Sequence, residues 1–275
     1  MKPIDSALNN ALKNLGETLE KRREKVAVQL PVCGEDKRGT PNSFLRSSLF
    51  AAIQSKDRYF TKKEVLYAQK GITVEYTGER LNQEDLTLWE TLVHLAKESP
   101  LGDECFFTAH SILKAMKLNT GGDEHKRLDE GITRLIACAV KVRMEGKGFT
   151  GSLVENSRER EGNNKHYYLR LSRELIRLYG DTEYTAIDWG QRLELRRKPL
   201  ALFLHGYYSS HREPFPIKLE TLYQLAGSQN GERKGFKRRV KAALEALVAI
   251  GFLESYQIKG DLVSVKRNNK AALPE

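Results

Sequence analysis

Asn230–Phe252 reads NGERKGFKRRVKAALEALVAIGF, with six Lys or Arg between Arg233 and Lys241 and then a nearly uncharged apolar run. On a helix, Phe236, Val240, Leu244, Leu247 and Val248 share one face, because they lie four, four, three and one residues apart. Arg233, Lys234, Lys237, Arg238 and Lys241 take the remaining surface of the first turns, with Arg239 in the same basic run. A helix built this way has a core side and a cationic side. That is the pattern of a recognition helix in a DNA groove, and a merely solvated amphipathic helix is the bland alternative.

The flanking sequence gives this helix its setting. Upstream, KPLALFLHGYYSSH places Leu200, Phe203 or Leu204, and Tyr207 at helical spacing, with Pro199 suited to a first turn. PFPIKLETLYQLAG follows, with Leu219, Leu222 and Leu225 three apart and Gly227 placed to end a second helix. Downstream, Gly251 stops the basic helix, and FLESYQIKGDLVSVKR shows two β-rich runs around the turn signal Lys259-Gly260-Asp261. Helix, helix, basic helix, hairpin is the order of a winged helix-turn-helix. In that fold the third helix enters the major groove, and Lys259, Lys266 and Arg267 reach flanking phosphates. A helical bundle with a terminal hairpin is the competing architecture.

The same grammar occurs earlier in the chain. DLTLWETLVHLA is an amphipathic helix with Asp85 as its expected cap and Leu88, Trp89, Leu92, Val93 and Ala96 facing inward. CFFT is a short strand leading to AHSILKAMK, the glycine turn NTGG, and the helix DEHKRLDEGITRLIACAV. In that last helix Leu128, Ile132 and Leu135 repeat the four-then-three spacing of Val240, Leu244 and Leu247. AVKVRMEG and KHYYLRLS are expected as the wing strands, joined by Lys147 to Asn164 as a long mobile tip. The expectation is therefore an α+β protein with two winged-helix domains in tandem: a tail over 1–39, a first domain over 40–180 and a second over 181–275. Lys126, Arg127 and Arg134 are the basic residues of the earlier third helix, but Asp123, Glu124, Asp129 and Glu130 nearly cancel them. Base reading is expected mainly from the C-terminal domain.

Composition narrows the function classes. The 275 residues carry a formal net charge of +10 and 40% hydrophobic content, enough for two cores and an attraction to polyanions. No apolar run approaches the ~20 residues of a membrane span, and the N-terminus lacks the apolar stretch of a signal peptide, so the expectation is cytoplasmic. Cys33, Cys105 and Cys138 form no CxxC pair and read as free or buried thiols, with no metal or cofactor expected. GKGFTGS lacks the GK[ST] ending of a P-loop, and GERLNQED pairs its carboxylates with no base or nucleophile. HGYYSSH lacks the metal-binding His pair of a rolling-circle nickase, so Tyr207 and Tyr208 read as core packing. Leu8, Leu12, Leu15 and Leu19 make a narrow apolar seam, read equally as a frayed surface helix or a partner-binding one.

Several longer stretches carry a family resemblance. RGTPNSFLRSSLFAAI, VEYTGERLNQEDLTLWETLVHLAKESPLGDECFFTAHSILKAM, GITRLIACAVKV and KPLALFLHGYYSSHREPFPIKLETLYQLAGS resemble, in order and at matching separations, the TrfA family of plasmid replication initiators. The resemblance runs from about Arg38 to Val265, and the first forty residues depart from it apart from QLP at Gln29–Pro31. It implies a non-enzymatic tandem winged-helix initiator that binds origin repeats (iterons) in double-stranded DNA and helps open the adjacent AT-rich DNA, with single-stranded DNA as a further partner. It also implies contacts with the host replicative helicase, initiator and sliding clamp, and a monomer-dimer equilibrium. The matching DNA-contact positions are the basic residues of ERKGFKRRVK and of HKRLDEGITR. RSSLF ends like a clamp-docking pentapeptide, which makes Leu49 and Phe50 its candidate anchors, although the same pair fits the core face of a helix. A winged-helix transcriptional repressor is the alternative reading.

Overall fold

The computed structural model describes residues 33–97, 104–144, 147–160, 166–171, 173–179, 183–228 and 233–268. The leucine seam and the first 32 residues of the expected tail lie outside the described residues. In chain order the elements are β1 (Lys37–Pro41), the single turn α1 (Asn42–Leu45), β2 (Phe60–Leu66), β3 (Ile72–Glu79), α2 (Gln83–Leu95), β4 (Glu104–Thr108) and α3 (Ala109–Ala115). There follow α4 (Gly122–Ala137), β5 (Ala139–Met144), β6 (Lys147–Gly151), β7 (Asn156–Arg160), β8 (His166–Arg170), β9 (Tyr184–Asp188) and α5 (Trp189–Glu194). The chain then forms α6 (Pro199–Ser209), β10 (Ile217–Lys218), α7 (Leu219–Leu225), α8 (Arg233–Ala249), β11 (Leu253–Lys259) and β12 (Leu262–Arg267).

The apolar side chains collect into two cores. One runs in sequence from Phe44 to Ile187 and has Trp89, Tyr76 and Tyr167 at its centre; the other runs from Leu195 to Val263. Inside the stretch read as a tail over 1–39, β1 begins at Lys37 and pairs with β9. That same pairing carries the first unit past residue 180, with Ile187 fully buried in its core.

The two units share a strand order. In the second, β10 enters the helix pair α7–α8 and pairs with β12, whose other neighbour is β11. In the first, β4 enters α3–α4 and pairs with β8, whose other neighbour is β7. The expected pairing of AVKVRMEG with KHYYLRLS is wrong. β5 pairs with β3 and β6, and β8 lies in a different sheet. Period-two alternation marks a strand and its inner face but says nothing about its neighbour, so two strands of the right type were joined across a sheet boundary. The expected mobile tip over Lys147 to Asn164 contains β6 and β7, while 161–165 lie outside the described residues. The β5–β6 hairpin extends β2–β3 into a four-stranded antiparallel sheet inserted into the repeated plan.

Local chemistry sets the ends of the elements. Asn82, not Asp85, caps α2: its side chain accepts from the Glu84 and Asp85 amides, and Asp85 returns the bond by accepting from the Asn82 amide at 2.9 Å. Gly227 ends α7 at φ +62°, where a Cβ would meet the Ala51 Cβ at 2.8 Å. No other residue fits both the backbone angle and the close approach of the first unit.

A buried ion pair joins the units. Arg192 of α5 sits 2.7 Å from Glu90 of α2, and both side chains are fully enclosed. Thr40 donates to Glu90 Oε1 at 2.6 Å, and Arg192 donates to Thr87 Oγ1 and to the Gln83 carbonyl. Burial raises the Glu90 carboxyl and lowers the Arg192 guanidinium, while each favours the charged form of the other. Pairs of this kind add little net stability when intact but are costly to break singly.

Candidate nucleic-acid interface

Helix α8 is fastened by its apolar face. Phe236, Val240, Leu244 and Leu247 are buried, Val248 is partly so, and Phe236 meets Tyr223 of α7 edge to face at 5.1 Å. Seventeen residues of helix are thereby held rigid along one side. Lys237, Arg238 and Lys241 are exposed on the other, and Arg233 and Lys234 open the helix. Arg239 departs from this strip: its guanidinium lies over the Phe236 ring at 5.7 Å and lines a groove of about 610 Å³ shared with Lys198, Ile53 and Ala246.

The β11–β12 hairpin flanks the strip. Its two-residue turn uses Gly260 at φ +62°, and Lys237 Nζ donates to the Gly260 carbonyl at 2.9 Å, which ties the helix to the turn. Lys259 is exposed at the end of β11, and Lys266 is exposed in β12 with Glu254 at 2.9 Å. Exposed pairs of this kind are weak and exchange readily for a phosphate. Arg267 is different. It is half-buried, lies over the Phe252 ring and donates to the His211 carbonyl at 2.9 Å, and burial lowers its pKa. Arg267 thus covers the carboxyl end of α6, and the phosphate role expected for it would require it to leave these acceptors.

Helix α4 holds the corresponding place in the first unit with different charge. Lys126 is exposed, and Arg127 pairs with Glu124 one turn away at 2.9 Å. Arg134 is turned inward, with both Nε and Nη2 on Asp85 Oδ1, the carboxylate whose other oxygen takes Arg58 at 2.8 Å. For Arg134 to serve as the expected DNA contact it would have to give up Asp85, leaving that buried carboxylate with Arg58 alone.

Comparison with known proteins places this arrangement. The family model described as TrfA protein matches residues 12–267. The chain belongs to the TrfA family. A curated relative, the plasmid replication initiator protein TrfA of Escherichia coli, is 29% identical over 237 residues, covering 84% of this chain. This TrfA-family chain spans 62% of the length of that relative. Among solved structures, domains 2 and 3 of RctB match at 13% identity with a TM-score of 0.55, covering 83% of this chain and 99% of that one. A second structure of the same RctB domains matches with a TM-score of 0.50 at 13% identity, over 78% of this chain and 92% of that one. The likeness is one of mixed α+β fold.

Other expectations for the TrfA-family chain meet the structure directly. Leu49 and Phe50 are enclosed in the first core, with the Phe50 ring 5.6 Å from Phe44. A docking peptide must present its Leu and Phe, so this pair is corrected from clamp anchor to core. Tyr207 and Tyr208 pack in the second core as expected, and burial raises both phenols. Cys105 and Cys138 are buried and Cys33 is partly so. Among the described residues no helix is long and apolar enough to cross a membrane.

One contact was not legible from spacing. Arg46, in the first unit, donates through Nε to Ser210 Oγ at 3.0 Å and through Nη2 to the Ser210 carbonyl, meeting Arg267 at the same helix end. Arg46 and Arg267 are 221 residues apart (267 − 46), and nothing local marks either as a cap.

Proposed function

We propose that this chain is a plasmid replication initiator that binds repeated sequences in duplex origin DNA through two winged-helix units, with α8 as the principal reading helix. In this reading β11–β12 is the wing of the second unit and β7–β8 that of the first. The observation that carries it is the exposed strip of Lys237, Arg238 and Lys241 on a helix whose opposite face is locked into a core. A rigid cationic helix beside a basic hairpin suits a major groove, with phosphates fixing register and two or three side chains reading base edges. Helix α4 adds backbone contacts through Lys126 and Arg127. The chain acts by binding, in the cytoplasm and without a covalent step of its own. It helps open the origin, brings the host helicase and initiator to it, and exchanges between monomer and dimer. The family match and the initiator relative support the origin as target.

Footprinting on the origin of the replicon that encodes the chain tests the proposal. Protection should recur at regular spacing over direct repeats, and simultaneous Lys237→Ala, Arg238→Ala and Lys241→Ala should erase it. Unchanged protection in that variant would remove α8 as the reader. Replication that proceeds without the chain would instead favour a repressor on the same fold.

A further inference from the structure

Helix α8 carries a third face that neither its core stripe nor its cationic strip uses. Gly235, Arg239, Ala242, Ala246 and Ala249 lie four, three, four and three residues apart, so they line one side of the helix. Ala242 and Ala249 are exposed, and Ala246 is half-buried. Beyond Lys241 the helix has a single charge, Glu245. Arg239, Ala242 and Ala246 line the groove of about 610 Å³ between the two units, to which Ile53 contributes from the first unit and Pro199 and Leu200 from the start of α6.

A groove walled by alanines suits an occupant that supplies the large side chains, because two helices interdigitate where small residues on one face large residues on the other. The chain contains such a segment. Leu8, Leu12, Leu15 and Leu19 lie four, three and four residues apart, which matches the four-then-three spacing of Ala242, Ala246 and Ala249. On a helix the positions flanking this seam are Asn9, Ala11, Gly16 and Thr18, all uncharged and none bulky. Asp5 and Ser6 suit an amino-terminal cap, and Lys21, Arg22 and Arg23 fall where the carboxyl end of a helix favours cations. The tether is long enough. Glu35 pairs with His94 and Lys97 at the carboxyl end of α2, close to where the described chain begins. At the amino end of α2, Asn82 donates to the carbonyl of the groove residue Ile53 at 3.4 Å. The 13 residues of α2 set these two points about 20 Å apart. Lys21 to Val32, 12 residues (32 − 20), span up to ~40 Å. A tether of that length holds the seam at an effective concentration on the order of mM.

We propose that Ser6–Glu20 docks as a helix in the groove between the two units of its own chain, with Leu8, Leu12, Leu15 and Leu19 set against Ala242, Ala246 and Ala249. Docking takes four leucines out of water and fills the groove from both units at once. It adds to the junction made by Gly227 against Ala51 and by Arg192 with Glu90, and it acts on α8 directly. The segment is thus an intramolecular brace between the units.

Hydrogen–deuterium exchange of the full chain, read by mass spectrometry on peptides covering 6–20 and 52–57, tests the docking. In the unaltered chain, exchange over 6–20 should be slowed about tenfold or more relative to the same peptide free in solution. Leu12→Asp with Leu15→Asp should abolish that protection and speed exchange over 52–57. Ala242→Glu changes an exposed position of α8, so the melting temperature should hold while protection over 6–20 is lost. Gly16→Ala should deepen the protection about fivefold by favouring the helix. Rapid exchange over 6–20 in the unaltered chain overturns the proposal and leaves the groove to a different occupant. Protection untouched by Ala242→Glu overturns it as well, because the seam would then lie elsewhere. Protection that disappears on dilution overturns it in favour of a second copy of the chain.

Discussion

Helices α4 and α8 stand at the same place in two units of one strand order, and both bury a four-then-three apolar stripe, yet their cations have different fates. In α4, Arg134 is spent on the buried Asp85 and Arg127 on Glu124. In α8, Lys237, Arg238 and Lys241 remain at the surface, and the one intrahelical carboxylate in reach, Glu245, lies 3.9 Å from Lys241. A shared scaffold thus fixes where a helix sits, while neighbouring acids decide whether its charge is offered outward. The second difference lies on the sheets: among the described residues the outer face of β4–β8–β7 carries Phe106 and Tyr168, whereas the outward positions of β12 carry Leu262, Ser264 and Lys266.

Charge reversal at Lys237, Arg238 and Lys241 is the harshest test of this contrast. At ~1 to 3 kcal/mol per contact, origin-duplex affinity should fall by about a hundredfold or more, whereas reversal at Lys126 and Arg127 should cost less than about tenfold. Titrations at several salt concentrations check the origin of the loss, because each phosphate contact removed lowers the salt slope by about one. Equal losses from the two helices would erase the distinction.

Arg134→Ala should behave oppositely to Arg238→Ala. It leaves Asp85 with one of its two guanidinium partners, so chemical denaturation should show a stability loss of about 2 kcal/mol with duplex affinity unchanged. Arg238→Ala should weaken binding and leave the denaturation midpoint where it was.

The second unit also has an acid-sensitive core. His205 of α6 is fully buried, touches Gln191 Oε1 at 3.2 Å and the Phe252 ring at 4.6 Å, and burial lowers its pKa to about 3. The unfolded chain takes up a proton near pH 6.5 that the folded chain refuses until about pH 3. Stability contributed by neutral His205 is therefore complete above pH 6.5 and declines as pH falls, by up to about 1.4 kcal/mol per pH unit. His205→Gln should flatten that limb in denaturation curves taken between pH 7 and pH 4. A limb of unchanged slope would place the sensitivity elsewhere.

The smallest effect should come from lifting the acids of α4. Asp123→Asn with Glu130→Gln should raise non-specific duplex affinity by no more than about threefold, with a slightly steeper salt dependence. A gain as large as the loss from α8 would mean that α4 already lies in a groove.

By itself the sequence determined the elements whose signal is local. The stripe of Phe236, Val240, Leu244 and Leu247, the glycines at Gly227, Gly251 and Gly260, and the repeated helix grammar all foretold the second unit and its echo, because periodicity and backbone freedom act within a few residues. The basic strip on α8 was legible for the same reason. Tertiary structure decided what depends on partners far along the chain. It joined β8 to β4 rather than β5, turned Arg134 onto Asp85 and Arg267 onto the end of α6, enclosed Leu49 and Phe50, and set Phe106 beside Tyr168 on an open face. Strand neighbours and charge partners are chosen by whole-unit packing, and a residue's identity does not record which distant group will reach it first.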